Sequence, residues 1–122
     1  MKFLVDTNIF LEVLLAQERK DECRRFLNWL ASREDGIITS FTLHAIEALS
    51  GRNVKGRKAL AAFLNLVAKS SWEIYPTTLE EEQRIVGVAN EQRLDFDDAL
   101  HYFVSKKQGV TLQYALSGPN QR

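Results

Sequence analysis

Apolar positions along the chain form two kinds of pattern, short runs rich in β-branched residues and longer stretches with helical spacing, and the two alternate. Lys2 to Val5 is a short apolar run followed by turn-prone Asp6-Thr7-Asn8, and Ile9 to Leu15 continues nearly all apolar, which predicts strand, tight turn and helix. Lys20 to Ser32 places Cys23, Phe26, Leu27 and Leu30 on one helical face, with basic residues mostly opposite. Ile37-Ile38-Thr39 predicts a second strand, and Ser40 to Ser50 a helix whose polar members Ser40, His44 and Glu47 form one stripe. Gly51 to Gly56 breaks the pattern before a helix over Lys58 to Lys69, buried through Leu60, Phe63, Leu64 and Val67. Trp72 to Tyr75, stopped by Pro76, is the third expected strand, and Trp29 and Trp72 are both expected in the core. Thr77 or Thr78 with Glu81 forms a capping box for a helix reaching Gln92, Asp95 opens a helix over Asp97 to Lys107, and Val110 to Leu112 gives the last strand.

Strands separated by one or two helices make an α/β domain with a central, largely parallel four-stranded sheet flanked by helices. A chain of 122 residues is one domain's worth, expected over 1–112, with the unpatterned stretch 113–122 a frayed tail. Sixteen basic and sixteen acidic residues leave no net charge, so bulk attraction to nucleic acid is excluded and any phosphate binding must be local. Cys23 is the sole cysteine, which rules out an internal disulfide or a cysteine-based zinc site. No apolar run is long enough for a signal peptide's core or a membrane span, so the expectation is a soluble, cytoplasmic protein without a membrane partner.

Three places carry acids where chemistry is expected. Asp6 follows the first strand directly, at the carboxyl edge where ligands of open α/β sheets bind, although an N-cap role for Asp6 or Asn8 explains the position equally well. Glu47 lies in a helix that starts just after the second strand. Asp95, Asp97 and Asp98 crowd the start of the last helix, and three acids in four residues exceed what capping requires. Were Asp6, Glu47 and Asp98 to converge, each pair of charges about 4 Å apart would cost about 4 kcal/mol at an effective dielectric near 20. A domain stable by only about 5–15 kcal/mol must then protonate a carboxyl group or bind a divalent cation. Oxygen donors favour Mg²⁺ or Mn²⁺, which activates water against a phosphodiester.

In order and placement these acids resemble the PIN domain family, metal-dependent ribonucleases that include the VapC toxins of toxin–antitoxin pairs. Phe3-Leu4-Val5-Asp6-Thr7-Asn8 resembles the family's opening strand, Thr39 to Leu49 its acidic helix, and Leu94-Asp95-Phe96-Asp97-Asp98-Ala99-Leu100 its third segment. The resemblance implies catalysis and metal binding by Asp6, Glu47 and Asp98, with Asp97 assisting, a Mg²⁺ or Mn²⁺ cofactor, an RNA substrate, a cognate antitoxin and a homodimer. The chain departs from the family after the last strand, where a further acid is expected and no Asp or Glu follows Asp98. The alternative is therefore a catalytically impaired scaffold that binds antitoxin or itself without cleaving RNA. Substrate contacts are expected from Asn8 and from Arg52 and Lys55, part of a basic cluster with Arg57 and Lys58, unless these only solvate a loop. The apolar first helix is either a core helix or a surface that an antitoxin or second copy covers.

Overall fold

A computed structural model of the chain describes residues 2–32 and 36–113. Its elements are β1 (Phe3–Val5), α1 (Thr7–Leu14), α2 (Lys20–Ala31), β2 (Gly36–Thr39), α3 (Ser40–Ser50), α4 (Val54–Lys69), β3 (Glu73–Tyr75), α5 (Leu79–Gln92), α6 (Phe96–Gln108) and β4 (Thr111–Gln113). The four strands form one sheet in the order β3-β2-β1-β4, and every pairing is parallel. The expected α/β architecture is therefore present. β4 extends through Gln113, one residue past the expected domain end, and the rest of the expected tail, 114–122, lies outside the described residues.

Alternation along the strands divides the core in two. Val5 and Ile38 pack on one face with Ile9 and Phe10 of α1, Leu27 and Leu30 of α2, Ile46 of α3 and Phe63 of α4. Leu4 and Ile37, their neighbours in sequence, pack on the other with Ile85 of α5 and Ala99, Leu100 and Val104 of α6. Successive strand side chains point to opposite faces, so a sheet covered on both sides needs uninterrupted apolar strands, as β1 and β2 have. Gly36 serves this packing, because a Cβ there would lie 2.7 Å from Cδ1 of buried Trp72.

Two expectations change. Trp29 is 45% exposed rather than core, its ring lying edge-on to Phe3, because it is turned about 160° around α2 from Leu27 on the buried face. α4 starts at Val54, with the Asn53 side chain accepting from the Gly56 N–H at 2.7 Å, so Gly56 lies inside a helix rather than in a break. A Cβ at Gly56 would lie 2.1 Å from the Ser50 carbonyl oxygen, and its absence lets the start of α4 close onto the end of α3.

The α5–α6 layer is tied to β3 by a buried carboxylate. Glu81 Oε2 accepts from the Tyr75 hydroxyl at 2.6 Å and the Lys107 ammonium at 2.5 Å, while Oε1 accepts from the Thr78 N–H at 2.9 Å in the expected capping box. The bond from Lys107 leads these in holding Glu81 down from 4.5 to about 2. A folded-state pKa below the unfolded one stabilises the fold above pH 4.5, and that contribution disappears as pH falls towards 2. Glu81→Gln is expected to cost about 1–3 kcal/mol at pH 7 and to flatten the acid loss of stability between those limits. Urea denaturation across that pH range reads both effects, and equal stability of the two proteins at pH 7 would contradict the assignment.

Candidate metal centre

Three helices begin at the carboxyl edge of the sheet. α1 and α3 start within two residues of the ends of β1 and β2, and α6 runs back towards the start of β4, which puts its first turn at the same edge. Strand order also reverses there, with β2 and β3 to one side of β1 and β4 to the other, the position at which such sheets bind ligands. Helix N-termini carry partial positive charge and unpaired N–H groups, so carboxylates are stabilised at this edge.

Asp6 is the N-cap of α1, its Oδ2 accepting from the Asn8 N–H at 3.2 Å. It is nonetheless buried. Asp97 lies in the first turn of α6, and His101 follows one helical turn later on the same face, with no exposed surface. His101 Nδ1 is 2.9 Å from Asp97 Oδ1 and 3.7 Å from Asp6 Oδ1. One ligand atom from each of Asp6, Asp97 and His101 lies within 4.8 Å of the other two.

The histidine is fixed from behind. Nδ1 is 2.9 Å from the Asp97 carbonyl oxygen, which can only accept, so Nδ1 carries a proton. In the neutral ring Nε2 must then accept, and its neighbour at 2.9 Å is the Thr42 hydroxyl. Thr42 Oγ1 in turn accepts from the Thr39 hydroxyl at 3.1 Å and meets Thr7 Oγ1 at 2.8 Å, while the Thr42 N–H donates to Thr39 Oγ1 at 3.0 Å. Threonines ending β2 and opening α1 and α3 thus bind the three helix starts to one another.

Burial pushes the Asp6 carboxyl above its ordinary pKa, and neighbouring Asp97 and Asp98 push the same way against the opposing pull of His101 and the Asn8 N–H. For His101 burial opposes the charged ring, but hydrogen bonds to Asp97 and the charge of Asp6 outweigh it and raise the pKa above 6.5. The donor set fits a divalent cation, since the Asp6 and Asp97 carboxylates each put an oxygen within reach of one ion.

The model of the PIN domain family matches residues 3–113. The chain belongs to that family. Among solved structures, this PIN domain is similar to Mycobacterium tuberculosis VapC20, a sarcin-ricin loop cleaving toxin, with a TM-score of 0.69 at 19% identity over 89% of this chain and 85% of that one. It is also similar to PAE2754 from Pyrobaculum aerophilum, with a TM-score of 0.64 at 18% identity over 93% of this chain and 80% of the other. No curated protein matches it in sequence.

Within the PIN domain the expected acids are not gathered as the sequence suggested. Asp6 and Asp97 of the expected set lie in one compact group with His101, and Glu47 and Asp98 are not members of that group. Asp98 is half-buried, and its charge acts on Asp6. Glu47 is half-buried on α3, five residues beyond Thr42 and so turned about 140° from the face that meets His101. Asp95 holds the N-cap position of α6 without a side-chain cap bond. Asn8 is exposed beside Asp6, and Arg52 and Lys55 are exposed beyond the far end of α3, whose last residue, Ser50, lies about 12 Å along the helix axis from Thr42. Sequence reasoning missed His101, whose signal was its spacing of four from Asp97.

Thr42→Val leaves His101 Nε2 buried without a partner and is expected to cost about 1–3 kcal/mol, most of which Thr42→Ser restores. Denaturation of both variants checks this, and equal stability of the valine and serine proteins would refute the network.

Proposed function

We propose that this PIN domain is a metal-dependent endoribonuclease and the toxin of a toxin–antitoxin pair, acting in the cytoplasm. The observation that carries this reading is the pairing of the Asp6 and Asp97 carboxylates at the strand-order reversal of the sheet. The name of VapC20, a toxin that cleaves the sarcin-ricin loop, supports it through the shared fold. Asp6 and Asp97 hold Mg²⁺ or Mn²⁺, Asp98 adds negative charge beside them, and Glu47 stands outside this inner set. When bound, the cation supplies a polarised water and offsets charge on the scissile phosphate. Thr7, Thr42 and His101 keep the two carboxylates in place, so no rearrangement is needed when RNA arrives. Asn8 contacts the substrate near the cut, whereas Arg52 and Lys55, at the other end of α3, can touch only flanking RNA.

The antitoxin site in this reading is a mostly apolar cavity of about 340 Å³ between α1, α2 and α4, lined by Phe10, Leu14, Leu27 and Phe63 among others, with Arg24 and Asn28 as its polar members. A concave apolar surface formed by three helices suits the apolar side of an amphipathic helix. A homodimer then uses other surface. The impaired-scaffold reading keeps one supporting observation, the lack of any acid beyond Asp98.

Asp6→Asn and Asp97→Asn are expected to abolish Mn²⁺-dependent cleavage of structured RNA while melting at or above the wild-type temperature, because a carboxylate repulsion is removed. Wild-type cleavage by either variant would refute the nuclease assignment. Leu14→Glu is expected to weaken capture of an apolar helical antitoxin peptide at least tenfold and leave cleavage unchanged. Peptide binding without any cleavage by the parent protein would favour the scaffold.

A further inference from the structure

We propose that the groove between α5 and α6 is an RNA-contact surface separate from the metal centre, where an unpaired stretch of RNA stacks a base on Tyr102 and sets backbone phosphates against Arg84 and Lys106. The inference rests on the reading of RNA as the substrate and adds a surface that holds it.

α5 and α6 pack side by side, joined only by 93–95, and leave between them a cavity of about 490 Å³. Arg84 and Val88 line it from α5, and Tyr102, Phe103, Lys106 and Lys107 from α6. Three cations and two aromatic rings therefore share one groove, with no acid among the described residues that line it, in a chain without net charge. Glu81 already holds Lys107. Arg84 lies 3.9 Å from exposed Glu80, a separation at which a solvated pair holds little, so its guanidinium can turn to a phosphate. Tyr102 and Lys106 stand about 140° and 180° around α6 from Asp97, and about 7.5 Å and 13.5 Å along its axis. The groove thus occupies a different side of the helix that carries the metal-site acid.

The placing of cations against rings favours RNA as the occupant. Lys106 Nζ is 5.7 Å from the centre of the Tyr102 ring, and the Arg84 guanidinium carbon is 6.0 Å from that of Phe103, so each cation sits beside an aromatic face. Tyr102 is 39% exposed. A base laid on its ring displaces Lys106 towards the phosphate of the same nucleotide, and grooves that hold single strands combine these two contacts. Carboxylates of an acidic peptide would engage the cations and leave the ring unused. Gly87 shapes the rim. It lies inside α5, three residues after Arg84 and one before Val88, and a Cβ there would meet no atom of the described residues within 4 Å. Interior glycine weakens a helix relative to alanine, and packing within this chain does not call for it, whereas a strand crossing α5 into the groove uses the room.

The test is binding of fluorescein-labelled oligouridylate to the full chain, read by anisotropy in EDTA so that no cleavage intervenes. Tyr102→Ala is expected to weaken binding about tenfold, and Tyr102→Phe to restore most of the loss. Arg84→Gln combined with Lys106→Gln is expected to reduce the slope of log affinity against log salt by about 1.4, the share of two phosphate contacts to a single strand. Gly87→Glu, which adds a negative charge at the rim and a better helix former, is expected to weaken binding severalfold while raising the melting temperature. Pairing the probe with oligoadenylate is expected to weaken binding as well. Unchanged affinity in the groove variants, with the loss falling instead on Arg52→Gln or Lys55→Gln, would overturn the proposal and leave the nuclease reading standing. Failure to bind the probe, or equal affinity for the paired probe, would also overturn it, and equal affinity for polyglutamate would overturn it in favour of an acidic protein partner. Groove-dependent binding by a protein that cleaves no RNA with Mn²⁺ supports the groove and removes the nuclease reading.

Discussion

A nearly enclosed carboxylate, Asp6, with a second, half-buried one, Asp97, close beside it is the constraint around which the rest of this domain is arranged. Asp6 is almost fully enclosed, and Asp97 holds an oxygen 2.9 Å from the His101 ring nitrogen beside it. Burial of Asp6 leaves their repulsion less screened than in water, and the fold meets it with positive ends of helices, with a buried imidazole and, in the proposed reading, with a divalent cation. A cation bound by folded and not by unfolded chain also adds to stability by mass action.

Parallel β topology supplies these conditions. Each strand leads into or is preceded by a helix running the other way, so helix starts accumulate at one edge of the sheet, and β1 lies where the strand order reverses. Thr7, Thr39 and Thr42 convert this proximity into a fixed geometry, and His101 joins α6 to it. At the far side of α6, Lys107 closes the Glu81 network, so the helix that carries Asp97 is secured at both ends by buried polar contacts.

Much of the architecture was legible because burial on both faces of a parallel sheet leaves short apolar strands between helices of ordinary length. Helix starts were harder. Gly56 reads as a breaker until the Ser50 carbonyl is seen against it, a tertiary contact that no local pattern encodes. Trp29 was placed in the core on hydrophobicity, although its angle on α2 turns it away from Cys23, Leu27 and Leu30. In the site, Asp6 was legible from its place after β1. That Asp97 joins Asp6 and His101 in the compact group was not, since it depends on the rotation of α6 about its axis. Glu47 was expected from family resemblance, but Thr42 takes the face of α3 that looks into the cluster. His101 is hard to read from sequence because a lone histidine inside an apolar helix carries no local sign of the carboxylates that tertiary packing brings to it.

Anomalous diffraction from crystals soaked in Mn²⁺ most directly tests whether the Asp6 and Asp97 carboxylates share an ion. A peak within bonding distance of one oxygen from each is expected. A fully occupied peak at Glu47 or elsewhere, with Asp6 and Asp97 left uncoordinated, would contradict it.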